Sequence, residues 1–260
     1  MIPTISMSLW QRPEYTRQVL QALRDGIGAS KYRLVVAIDV GVGEWTTITC
    51  QDGKKHNVMR RYGSNVNQEV LDIVNAQTWP VEKEIHVMPS AAGCNSTIRC
   101  ALEHAFTKAD YVIHVEDDIV LAGDAIPWFE WARDQYRDDP SVFTVTAWRH
   151  PDGWLPENHR DRSIDEHCVA RREAFFTCWG WATWLDRWNE IKPKWSDKGD
   201  YEVSWDVRMS ELRGNRVQIA PLIGRASNIG VLKGTHRGHV PLSYWRGQDS
   251  VEVVPDFKEA

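Results

Sequence analysis

Apolar residues recur along the chain with two spacings, every second position and every third to fourth, and the changes from one to the other outline an architecture. Pro3 to Leu9 reads as a first strand, and Glu14 to Arg24 sets Val19, Leu20 and Leu23 on one helical face. Tyr32 to Asp39 is a second strand that ends in an acid and enters a turn at Gly41 and Gly43. After a less regular stretch come a helix near Gln68 to Asn75, a strand at Glu84 to Met88 and a helix from Ser96 to Phe106. Tyr111 to Val120 is another β-type run, Ala125 to Asp138 has helical spacing, and Val142 to Ala147 returns to strand. Strands alternating with helices predict an α/β fold, a mostly parallel sheet with helices on both faces, in a single domain.

A chain of 260 residues can bury a full core. Its 26% charged and 42% hydrophobic content excludes disordered and fibrous classes. The formal net charge of −5 gives no general attraction to polyanions. No stretch approaches the roughly 18 to 20 apolar residues of a membrane span, and Met1 to Met7 lacks a basic leader, so a cytoplasmic protein without a span is expected. Five cysteines without a CxxC pair indicate neither a disulfide framework nor a zinc knuckle, and they read mostly as core thiols.

The Tyr111 to Val120 run delivers three consecutive carboxylates, Glu116, Asp117 and Asp118. Such a concentration of charge at a strand end is unfavourable without a cation, and a hard divalent ion is the usual solution. The competing reading is that these acids cap a helix or face water. Asp39 also ends a strand, and ligands of open α/β sheets sit beyond the carboxyl ends of strands. No GxGxxG follows the first strand and no GxxxxGK[ST] occurs anywhere. A nucleotide diphosphate held here would therefore need a metal on the acidic triplet, the chemistry of nucleotide-sugar enzymes.

Tryptophan is unusually frequent, 14 against 7 Tyr and 6 Phe. Trp148, Trp154, Trp179, Trp181, Trp184, Trp188, Trp195 and Trp205 all follow the acidic run. Indoles stack on sugar rings, and they equally fill cores. His114 lies inside the acidic strand, where alternation turns it away from Val115 and Asp117, and it reads as a hydrogen-bonded core histidine.

Taken in order, Val115-Glu116-Asp117-Asp118, Val145-Thr146-Ala147-Trp148, Trp179-Gly180-Trp181, Lys192-Pro193-Lys194-Trp195 and Trp205-Asp206-Val207-Arg208-Met209 resemble the GT-A glycosyltransferases of the N-acetylglucosaminyltransferase I type. The resemblance extends to Ser227-Asn228-Ile229-Gly230 and Gly234-Thr235-His236-Arg237-Gly238, and back to Arg12 and Asp39. It implies a UDP-sugar donor, Asp118 as the direct ligand of Mn²⁺ or Mg²⁺, Glu116 and Asp117 as contacts to the nucleotide-sugar, and Arg12 and Asp39 beside uracil or ribose. Residues 1–122 would bind the nucleotide-sugar, and residues 123–260 would bind the acceptor and carry the base, within the same GT-A domain. The acceptor is a hydroxyl on a carbohydrate or other small molecule.

In the family the reaction inverts the anomeric centre, so a carboxylate must deprotonate the acceptor. Asp206 occupies the segment that carries it, but the second acid of the family's pair is Val207 here. The base is then Asp206 by shift or another acid such as Glu202, and Asp206 as a helix cap is the structural alternative. Gly180 and Trp181 are expected on the floor of the site, or else in a tightly packed turn. Lys233, His236 and Arg237 lie among Gly230, Gly234 and Gly238, the composition of a lid over a diphosphate. Arg237 would meet the donor, and His236 would complete the metal shell or sit on a surface loop. Two other functions compete: a non-catalytic sugar or nucleotide binder on the same scaffold, and an enzyme acting on modified nucleic-acid bases, with Arg171, Arg172, Arg208, Arg213, Arg216 and Arg225 lining a groove.

Overall fold

Every residue of the first strand, β1 (Thr4–Leu9), is buried, as is every residue of β2 (Arg33–Ile38). Strands covered on both faces carry apolar or small residues at nearly every position, and in β1 and β2 the one charged residue, Arg33, is paired with Glu82 and Glu84. The computed structural model describes residues 1–49, 55–149, 168–195, 205–232 and 257–259. Between β1 and β2 runs helix α1 (Pro13–Asp25), with Pro13 in its first turn and Thr16, Val19, Leu20 and Leu23 buried. A hairpin of β3 (Val42–Thr49) and β4 (Lys55–Tyr62) follows, then α2 (Gln68–Asn75), β5 (Glu82–Val87) and α3 (Gly93–Ala105). Asn67 caps α2 by accepting from the amides of Glu69 and Val70.

Next come β6 (Tyr111–Glu116), β7 (Ile119–Leu121), α4 (Ala125–Tyr136) and β8 (Val142–Thr146). The remaining described elements are β9 (Val169–Glu173), β10 (Trp181–Trp184), α5 (Leu185–Ile191), α6 (Trp205–Arg213), β11 (Val217–Pro221), β12 (Ala226–Asn228) and β13 (Lys258–Glu259). Nine strands form one sheet in the order β13-β9-β11-β8-β10-β6-β1-β2-β5. Neighbours are parallel except at β9/β11, β8/β10 and β10/β6.

Alternation along the strands divides the core into two clusters. Leu34, Val36, Ile113 and Val115 pack with α1, α2 and α4. Val35 and Val112 pack with α3, α5 and α6. The expected α/β sheet with helices on both faces is the observed one.

Three features depart from the sequence reading. The less regular stretch after β2 is the β3/β4 hairpin, paired from Val42 and Tyr62 to Thr49 and Lys55. The run Tyr111 to Val120 is two strands, because the chain turns at Asp117 and Asp118 and leaves the main sheet to pair β7 with β12. Trp181 to Trp184 is a core strand, inserted antiparallel between β6 and β8.

The small β7/β12 ribbon is tied to its surroundings by a buried ion pair. Arg225 Nε donates to Asp124 Oδ2 at 2.9 Å, and its guanidinium lies over the Trp128 ring, 5.6 Å from the centroid. Removing one partner of such a pair leaves a buried charge uncompensated.

His114 is fully buried on the α3 face, with Nδ1 2.8 Å from Ser6 Oγ and Nε2 3.4 Å from Ser8 Oγ. It is the hydrogen-bonded core histidine expected. Burial holds its imidazole neutral down to about pH 3, against 6.5 for an ordinary histidine. The unfolded chain thus binds this proton at higher pH than the folded one, so stability should fall as pH drops from 6.5 towards 3, by up to ~1.4 kcal/mol per unit from this group. Urea unfolding of wild type and His114→Gln between pH 7 and 4 checks this: the wild type should lose the extra proton's worth of stability that the variant retains. Equal slopes would mean that His114 is protonated in the folded protein.

Candidate active site

The sheet order alone brings the candidate residues together. Because β1 is parallel to β6, with Ser8 opposite Glu116, the residues that follow β1 emerge beside the acidic triplet. Arg12 stands there, immediately before the first turn of α1, its carbonyl accepting from the Thr16 amide at 2.9 Å. Its guanidinium faces both aspartates. Nε donates to Asp117 Oδ2 at 3.0 Å, Nη2 donates to Asp117 Oδ1, and Nη1 donates to Asp118 Oδ2 at 2.8 Å. The Trp10 amide adds a bond to Asp117 Oδ2 at 3.2 Å.

Negative charge still exceeds positive here. Burial, then Asp118 and Asp117, push the Glu116 carboxyl up to about 8, with a smaller contribution from Asp206. Burial also raises Asp117, with Arg12 opposing it. For Arg12 the order is reversed: burial works against its charge, and Asp117 and Asp118 outweigh it. The donor set of the triplet is entirely carboxylate oxygen, which suits a hard divalent cation that takes its other ligands from phosphates and water. Asp117 has 3% of its side chain exposed and Asp118 has 15%, so Asp118 is the more exposed of the two aspartates.

A segment from late in the chain fixes Asp118. The Ile229 amide donates to the Asp118 carbonyl at 2.8 Å, continuing the β7/β12 pairing. One residue on, the Gly230 amide donates to Asn228 Oδ1 at 2.8 Å, and Gly230 lies directly under the Asp118 carboxylate. A methyl group there would sit 3.0 Å from Asp118 Cγ and overlap Oδ2. Ser227 to Gly230 carried a motif match in the sequence, yet only the contact reveals what the glycine is for.

Asp39 sits one residue past the end of β2, almost fully buried. Its Oδ1 accepts from the amides of Val40 and Ala92, at 2.9 and 2.8 Å, and its Oδ2 accepts from the Gly93 amide at 3.0 Å. Its carboxylate thus anchors the start of α3 at the same edge of the sheet as the triplet. Asp206 occupies the first turn of α6, and its charge raises both Glu116 and the buried Cys178 thiol, so it belongs to the same electrostatic group. Cys94 Sγ, on the first turn of α3, is 3.7 Å from Glu116 Oε2, a neighbour that sequence reading missed for want of any spacing signal.

Two expectations are corrected. Trp181 is fully buried in β10, packed against Phe176 and Trp205 with ring centroids 5.4 and 5.9 Å apart, so no sugar can stack on it. Gly180 is required by packing rather than by a ligand: its φ is 66°, and a Cβ would come 2.8 Å from Leu121 Cδ2. Trp148, Trp184, Trp188, Trp195 and Trp205 are buried as well, which leaves half-buried Trp179 as the one exposed indole of that set among the described residues. His236 and Arg237, with Lys233, Gly234 and Gly238, lie outside the described residues, as do Trp154 and Glu202.

The arginines expected to line a nucleic-acid groove are engaged elsewhere. Arg172 pairs with Asp139 and Glu259, Arg208 with Glu211, Arg216 with Glu190, and Arg225 is buried on Asp124. Among the described residues no helix is long and apolar enough to cross a membrane.

A sequence model of the GNT-I family matches residues 4–245. The α-1,3-mannosyl-glycoprotein 2-β-N-acetylglucosaminyltransferase of Arabidopsis thaliana is 28% identical over 162 residues, which cover 61% of this chain and 34% of that protein. The chain thus spans about a third of the length of that relative. The crystal structure of S. aureus TarS 1-349 superposes with a TM-score of 0.57 at 10% identity, covering 87% of this chain and 60% of that one. The same fragment in complex with UDP gives 0.54 at 9% identity, with the same coverage of 87% and 60%. Likeness at this level of identity speaks for a shared fold.

The contact beneath Asp118 can be tested without touching a carboxylate. Gly230→Ala should weaken Mn²⁺ binding about 10- to 100-fold, the range found when a group supporting a ligand is altered, while the thermal midpoint moves little. Titration followed by the electron paramagnetic resonance of free Mn²⁺ measures it. Unchanged affinity would show that the carboxylate does not depend on this contact.

Proposed function

The chain belongs to the GNT-I family, and from that membership we propose that it is a metal-dependent, inverting glycosyltransferase acting from a UDP-sugar onto a hydroxyl of a carbohydrate or other small acceptor. The observation that carries this reading is the surplus of negative charge where β6 ends, with Asp118 the more exposed aspartate and only Arg12 set against it among the described side chains paired there. The relative from Arabidopsis thaliana is by name a transferase of N-acetylglucosamine, and the TarS fragment binds UDP, which supports this class of donor.

Asp118 would hold a divalent ion, which when bound would neutralise the diphosphate and stabilise it as a leaving group. Arg12 lowers the repulsion between Asp117 and Asp118, and its fork keeps both carboxylates in place through paired hydrogen bonds. Glu116 and Asp117 are the contacts to the nucleotide-sugar. Asp39, by fixing the first turn of α3, shapes the nucleotide side at the ends of β1 and β2. Asp206 is the base that takes the acceptor proton. Val207, which stands where the family has its second acid, is 48% exposed, whereas the charge of Asp206 reaches Glu116, and this contrast supports Asp206.

Calorimetry with UDP-, GDP- and dTDP-sugars, with and without Mn²⁺, tests the donor. A uridine nucleotide should bind only with metal, and Asp118→Ala should abolish the metal dependence. Metal-independent binding, or none with any of the three, would sink the reading.

The base is tested separately. Asp206→Asn should keep donor affinity near the wild-type value while transfer falls about 10²- to 10⁴-fold, the usual worth of a general base. Transfer that persists near the wild-type rate would remove Asp206 from the mechanism. Binding without transfer or hydrolysis in the wild type itself would favour the non-catalytic binder that the Val207 departure suggests.

A further inference from the structure

Strand β5 is the edge of the nine-stranded sheet, bonded only to β2 and half-exposed along most of its length. Beside it lies the C-terminal half of α3, where Cys100 and His104, four residues apart, share one face. His86 of β5 completes a group in which one donor atom from each of the three residues lies within 4.8 Å of the others. The two imidazoles stack with centroids 3.5 Å apart. Glu84 Oε1 lies 2.6 Å from His86 Nε2 and 3.2 Å from His104 Nδ1, while Arg33 holds the other oxygen of Glu84.

The composition of this group separates it from the acidic triplet. Two imidazoles and a thiol make a mixed nitrogen and sulfur set, which with water in the fourth position suits a borderline-soft, tetrahedral ion rather than Mg²⁺ or Mn²⁺. All four side chains are partly exposed, which leaves an entry path. We propose that His86, Cys100 and His104, with Glu84 bonded to both imidazoles and orienting them, form a second metal site that takes Zn²⁺ and clips the edge strand β5 to helix α3. With ligands from consecutive elements, the clip ties the edge strand to the helix that follows it, on a strand whose backbone is bonded to the sheet only through β2.

Cobalt substitution reads this site directly. Wild-type protein with one equivalent of Co²⁺ should show the intense visible bands of tetrahedral cobalt and a thiolate-to-cobalt charge-transfer band, and Zn²⁺ should bleach both. Cys100→Ser should lose the charge-transfer band, and His104→Ala should weaken Zn²⁺ binding at least about tenfold. Asp118→Ala should leave the cobalt spectrum unchanged, so that failure here is distinguishable from failure at the acidic triplet. In parallel, Zn²⁺ should raise the thermal midpoint of the wild type and not that of His86→Ala/His104→Ala. A charge-transfer band that survives Cys100→Ser, or only the faint colour of six-coordinate cobalt in the wild type, would overturn the proposal.

Discussion

Three carboxylates at the end of one buried strand repel one another, and among the described residues the Arg12 guanidinium answers that repulsion. Arg12 can do so because β1 is the parallel neighbour of β6, and because Pro13 starts α1 at the next residue, a short way past the strand's end at Leu9. A shift of β1 by one residue against β6 would turn its side chains to the opposite face and take Arg12 from Asp117 and Asp118. Arg12 does not balance the charge. With Glu116 and Asp206 close by, the site is left favourable to a cation, and what stabilises the free protein least is what a ligand can use.

Much of this was readable from the chain because the central strands are buried on both faces. β1, β2 and β6 are largely apolar runs, interrupted by small or hydrogen-bonded residues such as Ser6, Ser8 and His114, and the acids at the ends of β2 and β6 mark the edge where a site can form. Asp39 and Glu116 stand out for that reason, and His114 reads as core because alternation assigns its face. Trp181 departs from its expected place on the floor of the site for an equally physical reason. An indole is as well suited to a protein interior as to a sugar ring, and composition does not record which side of it is covered. Trp181 sits in a strand inserted between β6 and β8, and that antiparallel insertion depends on pairings far apart in sequence.

The same limit hid the contacts that complete both sites. Gly230 lies beneath Asp118, and Cys94 lies beside Glu116, through approaches that no local spacing encodes. Cysteine counting searches for pairs close in sequence, so Cys100 passes as core, although His104 shares its helical face and His86 approaches from another element. Where a ligand set spans a strand and a helix, only half of it has a local period.

Seen from Asp118, the two halves of the chain are not independent. Its carboxylate belongs to the turn after β6, yet its carbonyl is bonded by Ile229 and its side chain rests on Gly230, both from beyond residue 220. The ribbon that carries them is pinned by Arg225 on Asp124, a pair with almost no exposure to water, where Coulomb attraction is screened least. Gly180 closes the arrangement from the other side, since only a residue without Cβ can take its φ of 66° and let Leu121 of β7 pack against it. The glycine expected to approach a ligand thus acts one layer further back. It seats the strand that follows Asp118, and through that strand it helps to set where the Asp118 carboxylate stands.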